Sequence, residues 1–416
     1  MNKRIITLIF ALGLIFSPSV AHAELFTAHN INSQAAVLVD AQTGQVLTAK
    51  NAEQRLPIAS TSKLLTIYLV ELAIKNGDIS ANQKVKIDQA TATLSNTALL
   101  ASVPVKVGEI LTVRELEEQA LVASSNAAAY QLAVVVAGSH SRFVDMMNAQ
   151  LSKWGIKNAG FSTSSGLMNS DLAAAANPKA ASSAENSLSA RELALVAKKT
   201  ITAFPKLLEI TKQARIVTPS KNGNVTVKNT NMLLTNGRGY QFEGLKTGSS
   251  PTNGETLVGL TTLAGRRVIT VVIGNSLSTD GIFDDTITML NEAKSKVQVA
   301  TLAAGTRVRS TVVKYAPQTT KYPLVTKGTA TLFVQKSGAT HLTVATKRQF
   351  KLVAPLKQGH LVATESVRVA GNQKLSDSID QATMPKVKLV TKHAIAEVAL
   401  PVRWYRNVME WISAHL

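Results

Sequence analysis

The chain has 416 residues, 45% of them hydrophobic and 17% charged, which is too long for one small domain and too apolar for a disordered chain. Its formal charge of +19 and isoelectric point near 10.0 favour an anionic partner: nucleic acid, a membrane surface or a charged wall polymer. It has no cysteine, which excludes disulfides, thiolate metal sites and cysteine nucleophiles, and its 7 histidines show no HExxH-like spacing to suggest zinc.

Lys3 and Arg4 precede an apolar run from Ile5 to Phe16 that is too short to span a bilayer. Ser17, Pro18 and Ser19 break the run, and Ala21-His22-Ala23 supplies the small residues a signal peptidase reads. Residues 1–23 therefore read as a secretory signal, with the mature chain starting at Glu24. Export weakens the nucleic-acid reading of the basic charge, so no nucleic-acid partner is expected. An exported chain without cysteine fits a bacterial cell envelope.

Ala35 to Lys50 predicts a hairpin, with AAVLVD and QVLTAK flanking a turn at Gln42-Thr43-Gly44. Residues 59–76, 113–137, 142–153 and 189–202 predict helices, and the Ala/Ser/Asn-rich stretch 171–187 predicts a long loop. From Phe242 to Asn275 the pattern returns to strands, turning at Ala264-Gly265, and a helix over about 281–296 follows. Strands at both ends with helices between predict an α+β domain over residues 24–297, on an antiparallel sheet in which the chain ends meet. Beyond it, short alternating runs such as TATLFVQ, HLTVAT and FKLVAPL predict a small all-β domain over residues 298–398. Residues 298–416 hold 17 basic and 5 acidic side chains, whereas residues 24–297 hold 26 and 21, so the excess charge sits away from the predicted α+β domain.

Ser60-Thr61-Ser62-Lys63 opens the first helix, and Lys63 is the only charge between Ala59 and Val70. A spacing of three lets the Ser60 hydroxyl meet the Lys63 amine, and burial would favour the neutral amine able to take the serine proton. The helix N-terminus would stabilise negative charge developing near Ser60. An isolated match of this kind is more often a helix cap. Ser124-Ser125-Asn126, placed within the predicted helix 113–137, offers a hydroxyl and an amide. Lys246-Thr247-Gly248, on an edge-like strand, offers a cation and a hydroxyl for a carboxylate, with Gly248 allowing a ligand backbone close. Each is bland alone. Together, in this order, they match the S-x-x-K, S-x-N, K-T-G signature of active-site serine penicillin-recognising enzymes.

The chain resembles the D-alanyl-D-alanine carboxypeptidases among the low-molecular-mass penicillin-binding proteins, type-5 subgroup. The resemblance runs through AVLVDAQTGQVLTAKNAEQRLPIASTSKLLT, VPVKVGEILTVRELEEQALVASSNAAAYQLA, FVDMMNAQLSKWGIKN and FEGLKTGSSPTNGETLVGLT, and FKLVAPLKQGHLVAT resembles that subgroup's β-rich second domain. It implies a penicillin-binding-protein/serine β-lactamase-like α+β catalytic domain, a small all-β domain and a C-terminal amphipathic helix. It implies Ser60 as nucleophile, Lys63 as general base and Ser124 as proton relay. Asn126 would hold the substrate backbone, Lys246 and Thr247 its carboxylate, and the N–H groups of Ser60 and Ser249 the oxyanion beside Gly248. The implied partners are peptidoglycan stem peptides ending in D-Ala-D-Ala, with β-lactams as covalent inhibitors, and the implied reaction needs no metal or organic cofactor.

Three departures stand out. Ala127 replaces an aspartate common after the S-x-N asparagine, and Ser249 replaces His or Tyr. A TDRIRF-like segment reads TDGIFD, without the arginine that contacts a carboxylate; Arg238 is a candidate substitute, although a solvated loop arginine is the plainer reading. Alternatives on the same domain are a β-lactamase, with Glu185-Asn186 the nearest thing to a deacylating glutamate loop, a transpeptidase, or a non-catalytic stem-peptide binder.

Residues 399–416 close the chain. On a helical wheel of 402–416, Trp404, Tyr405, Val408, Met409, Trp411, Ile412 and Leu416 share one arc, while Arg403, Arg406, Asn407, Glu410 and Ser413 share the other. The stretch is too short and charged to cross a bilayer, but suits the interface of an anionic membrane or wall polymer. The plain alternative is a helix docked on its own domain or on a second copy. The expected location is peripheral, on the outer face of the cytoplasmic membrane of a bacterium.

Overall fold

The computed structural model describes residues 24–275, 280–317, 321–338, 340–344, 346, 349–370 and 376–415; the expected signal segment, 1–23, lies outside them. Ala35–Asp40 (β1) and Val46–Lys50 (β2) form the expected hairpin. Phe242–Ser250 (β3), Gly254–Leu263 (β4) and Arg266–Asn275 (β5) complete one antiparallel sheet in the order β2-β1-β5-β4-β3. Ala35 pairs with Ile273 and Asp40 with Val268, so the two ends of the α+β part meet in the sheet.

The apolar run of β1 is buried on both faces, and its side chains sort by the strand period of two. Ala35, Val37 and Val39 join one core with the central helices, while Ala36 and Leu38 join a second core beneath the last helix of this part. The helices in chain order are α1 (Lys63–Asn76), α2 (Gln89–Ser95), α3 (Val113–Leu121), α4 (Asn126–Ala137), α5 (His140–Lys153), α6 (Ala190–Ala203), α7 (Leu208–Thr211), α8 (Gly281–Lys296) and α9 (Leu400–His415). Local chemistry sets their ends: α1 stops at Gly77 in the left-handed conformation, and α6 starts with a reciprocal Ser189–Glu192 capping box.

One expectation fails in a way that bears on the site. Residues 113–137 are two helices, not one, and Ser124-Ser125-Asn126 occupies the break. Ser124 has φ 58°, and the Ser125 hydroxyl accepts from the Ala128 N–H to cap α4. Apolar residues continue on both sides of the break, so hydrophobic pattern alone hid it, while serine's preference for caps decided it. The loop 171–187 is largely as expected, though a 3₁₀ segment spans Asn169–Ala175 and Ser187–Leu188 pairs with Leu56–Pro57. A two-stranded ribbon, Arg215–Ser220 with Gly223–Lys228, was not expected from the pattern.

After α8 the chain is β-rich. Five strands lie in the order 307–311, 322–327, 386–391, 361–369 and 342–344, and 297–302 pairs with 330–335. This part has its own core, including Leu332, Val344, Val367 and Leu389. It is bonded to the β1–β2 turn. The Gln45 side chain donates to the Phe333 carbonyl at 2.8 Å and accepts from its N–H at 2.9 Å. Val46 N–H donates to Asp377 O and Ile379 N–H to Gly44 O, while Asp380 takes Lys198 and Lys199 of α6. No helix among the described residues is long and apolar enough to cross a membrane.

Candidate active site

Ser60 lies in a 3₁₀ turn, Ala59–Ser62, that runs directly into α1. Lys63, three residues after Ser60 and the first residue of α1, is fully buried. Its Nζ lies 2.7 Å from Ser60 Oγ, 2.7 Å from Asn126 Oδ1 and 3.0 Å from the Ser165 carbonyl. A neutral amine has two N–H bonds and one lone pair. The amide oxygen and the carbonyl can only accept, so they take the two N–H groups and leave the lone pair facing the serine hydroxyl. Burial holds the Lys63 amine well below the ordinary lysine range, and the nearby Lys246 charge lowers it further. Geometry and burial thus place a lowered amine in hydrogen-bond contact with the Ser60 hydroxyl.

The second lysine sits on β3, the edge strand of the sheet. Lys246 is also buried, its Nζ donates to the Thr247 carbonyl at 3.0 Å, and desolvation lowers it to about 7. The Thr247 hydroxyl donates to Thr230 Oγ1 at 2.6 Å. Gly248 is a close-approach residue, but what approaches is the protein itself. A Cβ there would lie 2.8 Å from Ile58 O and 3.1 Å from Ser60 N, so a side chain would crowd the Ser60 N–H.

All three motifs open on one cleft of about 680 Å³, lined by Ser60, Ser124, Asn126, Thr247, Gly248 and Ser249 among others. Ser124 is buried at its edge, and among the described residues its hydroxyl bonds neither Ser60 nor Lys63. Of the residues expected from sequence, Ser60, Ser124, Asn126, Thr247, Gly248 and Ser249 line the cleft, and Lys63 and Lys246 are buried. Arg238, the candidate substitute arginine, is absent from the lining and its guanidinium is ion-paired with Asp284 on the surface, in keeping with the plainer reading of a solvated loop arginine. Glu185 is also outside the cleft, accepting from the Ser250 and Thr252 hydroxyls, so it braces the β3–β4 turn. Among the described residues no cluster of carboxylates and histidines could hold a metal ion.

Several supports went unread in the sequence. The segment 161–166 delivers the Ser165 carbonyl to Lys63, and three side chains hold that segment. Thr66 Oγ1 donates to Ser164 O, Asn186 Oδ1 accepts from Ser162 and Thr163 N–H, and His140 Nε2 accepts from Ser164 N–H. Burial lowers His140 to about 4, which keeps the imidazole neutral and its Nε2 free to accept. Gly166 then passes against the Ser60 turn: a Cβ on it would lie 1.9 Å from the Ala59 carbonyl. These contacts join residues far apart in sequence and of ordinary local type.

Residues 21–277 match the family model described as D-alanyl-D-alanine carboxypeptidase. The chain is 28% identical over 374 residues to D-alanyl-D-alanine carboxypeptidase DacC of Escherichia coli, covering 86% of this chain and 85% of that one. It superposes on a peptidoglycan synthesis regulatory factor (PBP3) from Streptococcus pneumoniae with a TM-score of 0.75 and 30% identity, over 88% of this chain and 100% of that one. Penicillin-binding protein D2 of Listeria monocytogenes in its cefotaxime-bound form gives a TM-score of 0.54 at 27% identity, over 64% of this chain and 98% of that one.

The Gly166 contact generates a stability prediction. Gly160 and Gly166 both have positive φ, but nothing lies within 4 Å of a Cβ on Gly160. Gly160→Ala should cost only the left-handed penalty of about 1–2 kcal/mol. Gly166→Ala should cost clearly more in urea unfolding, because the Ser60 turn must move. Equal losses in the two variants would disprove the close approach.

Proposed function

The chain belongs to the D-alanyl-D-alanine carboxypeptidase family, and from that premise we propose the part each cleft residue plays. The protein is a serine-type D-Ala-D-Ala carboxypeptidase of cell-wall metabolism. It removes the terminal D-alanine of peptidoglycan stem peptides through an acyl-enzyme. The observation that carries the assignment of roles is the three-contact environment of Lys63 Nζ.

In the proposed sequence the neutral Lys63 amine takes the proton of Ser60, whose oxygen attacks the carbonyl of the penultimate D-alanine. The carbonyl oxygen gathers negative charge between the N–H groups of Ser60 and Ser249, at the N-terminal end of the helical segment. The C–N bond then breaks, and the proton reaches the leaving amine through Ser124, which lines the cleft beside it. Water releases the remaining acyl group by the same proton path in reverse. Asn126 is tied to Lys63 and faces the cleft, so it both orients the base and meets the substrate amide. Lys246 and Thr247 receive the terminal carboxylate. β-Lactams present an amide carbonyl and a carboxylate in the same relation and should acylate Ser60. The placement of Glu185 on the β3–β4 turn weighs against a β-lactamase with a dedicated deacylating glutamate.

For location we propose peripheral attachment to an anionic membrane surface through α9. The helix docks on its own domain, but by its polar face. Glu410 pairs with Lys314 at 2.6 Å, Asn407 accepts from the Tyr315 hydroxyl at 2.7 Å, and Arg406 donates to the Ala316 carbonyl at 2.7 Å. Trp404 and Trp411 are left 70% and 64% exposed, with Tyr405 and Met409 beside them. Aromatic side chains on a face flanked by cations suit a bilayer interface.

Three tests follow from these roles. Fluorescent penicillin should label the protein covalently, and Ser60→Ala should abolish both labelling and D-alanine release while leaving unfolding unchanged; persistent labelling would remove Ser60 from its role. The pH dependence follows from the signs of the two lysines. Lys63 must be neutral, so acylation should weaken as pH falls through its lowered value. Lys246 must be cationic, so with a value of about 7 its hold on a carboxylate should weaken as pH rises above neutrality. KM for a peptide ending in a free carboxylate should therefore climb on the alkaline side, and a flat KM there would contradict the cationic role. Finally, deletion of residues 400–416 should abolish sedimentation with anionic liposomes and leave cleavage of a short peptide nearly intact. Equal liposome binding by both forms would rule out α9 as the anchor.

A further inference from the structure

The cleft poses an electrostatic problem for a substrate that ends in a carboxylate. Among the described residues its lining contains no arginine or lysine, while Asp171, Glu255 and Asp280 all line it. The two lysines of the site, Lys63 and Lys246, lie beneath the surface. Lys246 already spends a hydrogen bond on the Thr247 carbonyl, and its charge is only partly retained near neutrality. A carboxylate arriving here must be met largely by neutral donors.

Thr230 is placed to be one of them. It lines the cleft, and its Oγ1 accepts the Thr247 hydroxyl proton at 2.6 Å. With Thr247 donating inward to Thr230, the Thr230 O–H is the proton of the pair left to point outward, since each hydroxyl has one donor and two acceptor positions. The backbone on either side of Thr230 is held. Asn229 Nδ2 donates to Gln213 O at 2.9 Å, and its Oδ1 accepts from Asn231 N–H at 2.9 Å. Buried Asn231 donates to the Gly244 carbonyl at 3.1 Å, which ties the segment to β3, the strand that carries Lys246 and Thr247. A surface threonine gripped between two bonded asparagines is a pre-positioned donor.

We propose that Thr230 is a specificity-determining residue whose hydroxyl, turned outward by the proton it accepts from Thr247, forms a neutral cradle for the substrate's terminal carboxylate in place of a surface cation. This rests on the carboxypeptidase reading above and adds to it the group that selects a free C-terminus. The cradle is neutral, so binding through it should depend little on salt compared with an exposed ion pair.

The test uses the purified full-length mature protein and two peptides, one ending in D-Ala-D-Ala with a free carboxylate and one with a C-terminal carboxamide. Thr230→Val keeps the side-chain shape at an exposed position and removes only the hydroxyl. It should raise KM for the free acid roughly ten-fold, the loss expected for one hydrogen bond to a charged group, with kcat little changed. It should also shrink the preference for the acid over the carboxamide. Thr230→Ser should restore the wild-type KM. An unchanged KM in Thr230→Val, a fall in kcat alone, or a serine variant as impaired as the valine would each overturn the cradle. Wild-type protein that released D-alanine normally beside such a result would leave the carboxypeptidase reading standing; a wild type that released none would sink both.

Discussion

The amine of Lys63 is the constraint around which the site is assembled. A lysine taken wholly out of water is tolerable only if it loses its charge or finds partners for every N–H. Here burial lowers its tendency to hold a charge, and Asn126 Oδ1, the Ser165 carbonyl and the Ser60 hydroxyl are its partners. Those three partners come from three separate stretches of chain: the turn before α1, the start of α4, and the segment 161–166. Each must therefore be anchored, and each is. Ser125 caps α4, Asn186 and His140 hold 161–166, and Gly166 and Gly248 let the Ser60 turn sit against both neighbours. The reactivity proposed for Ser60 would in this sense be a consequence of where a buried amine can be satisfied.

The sheet supplies the opposite wall. β3 is an edge strand, so its outer side is free to face the cleft rather than another strand. Its register with β4, Gly248 opposite Thr256 and Ser249 opposite Glu255, fixes where the Ser249 N–H and the Thr247 hydroxyl emerge. Glu185 bonds Ser250 and Thr252 just beyond, so the exposed end of that hairpin is braced rather than left to fray. In the proposed mechanism a developing oxyanion and a carboxylate would thus be met by groups whose positions are set before substrate arrives, which is where electrostatic catalysis draws most of its effect.

What could be read from the sequence was what is local or ordered along the chain. The Ser60–Lys63 spacing, the hairpin Ala35 to Lys50 and the strands after Phe242 all follow from periodicity and motif order, and the structure contains them. The break at Ser124 was missed because a left-handed serine leaves no mark on an otherwise apolar run. Thr230, His140 and Gly166 were missed for another reason. A threonine after a hairpin, a histidine at a helix start and a glycine in a loop each have an ordinary explanation. Only their distant partners, Thr247, Ser164 and Ala59, give them a place in the site.

The same logic of partner choice explains the tail. An amphipathic helix that folded simply to hide its apolar residues would turn Trp404, Tyr405 and Trp411 toward the β-rich part; α9 instead spends Asn407, Arg406 and Glu410 on that contact. Arg403 adds its guanidinium over the Tyr315 ring at 4.6 Å. Polar docking bonds are individually modest, yet together they fix the rotation of the helix about its own axis. The β-rich part is in turn fixed to the α+β part through Gln45 and Phe333, and through Asp380 with Lys198 and Lys199, rather than through a bare linker. A surface that bound the aromatic face of α9 would therefore set the position of the whole chain, cleft included. The polar face of the tail is what leaves its aromatic side chains exposed.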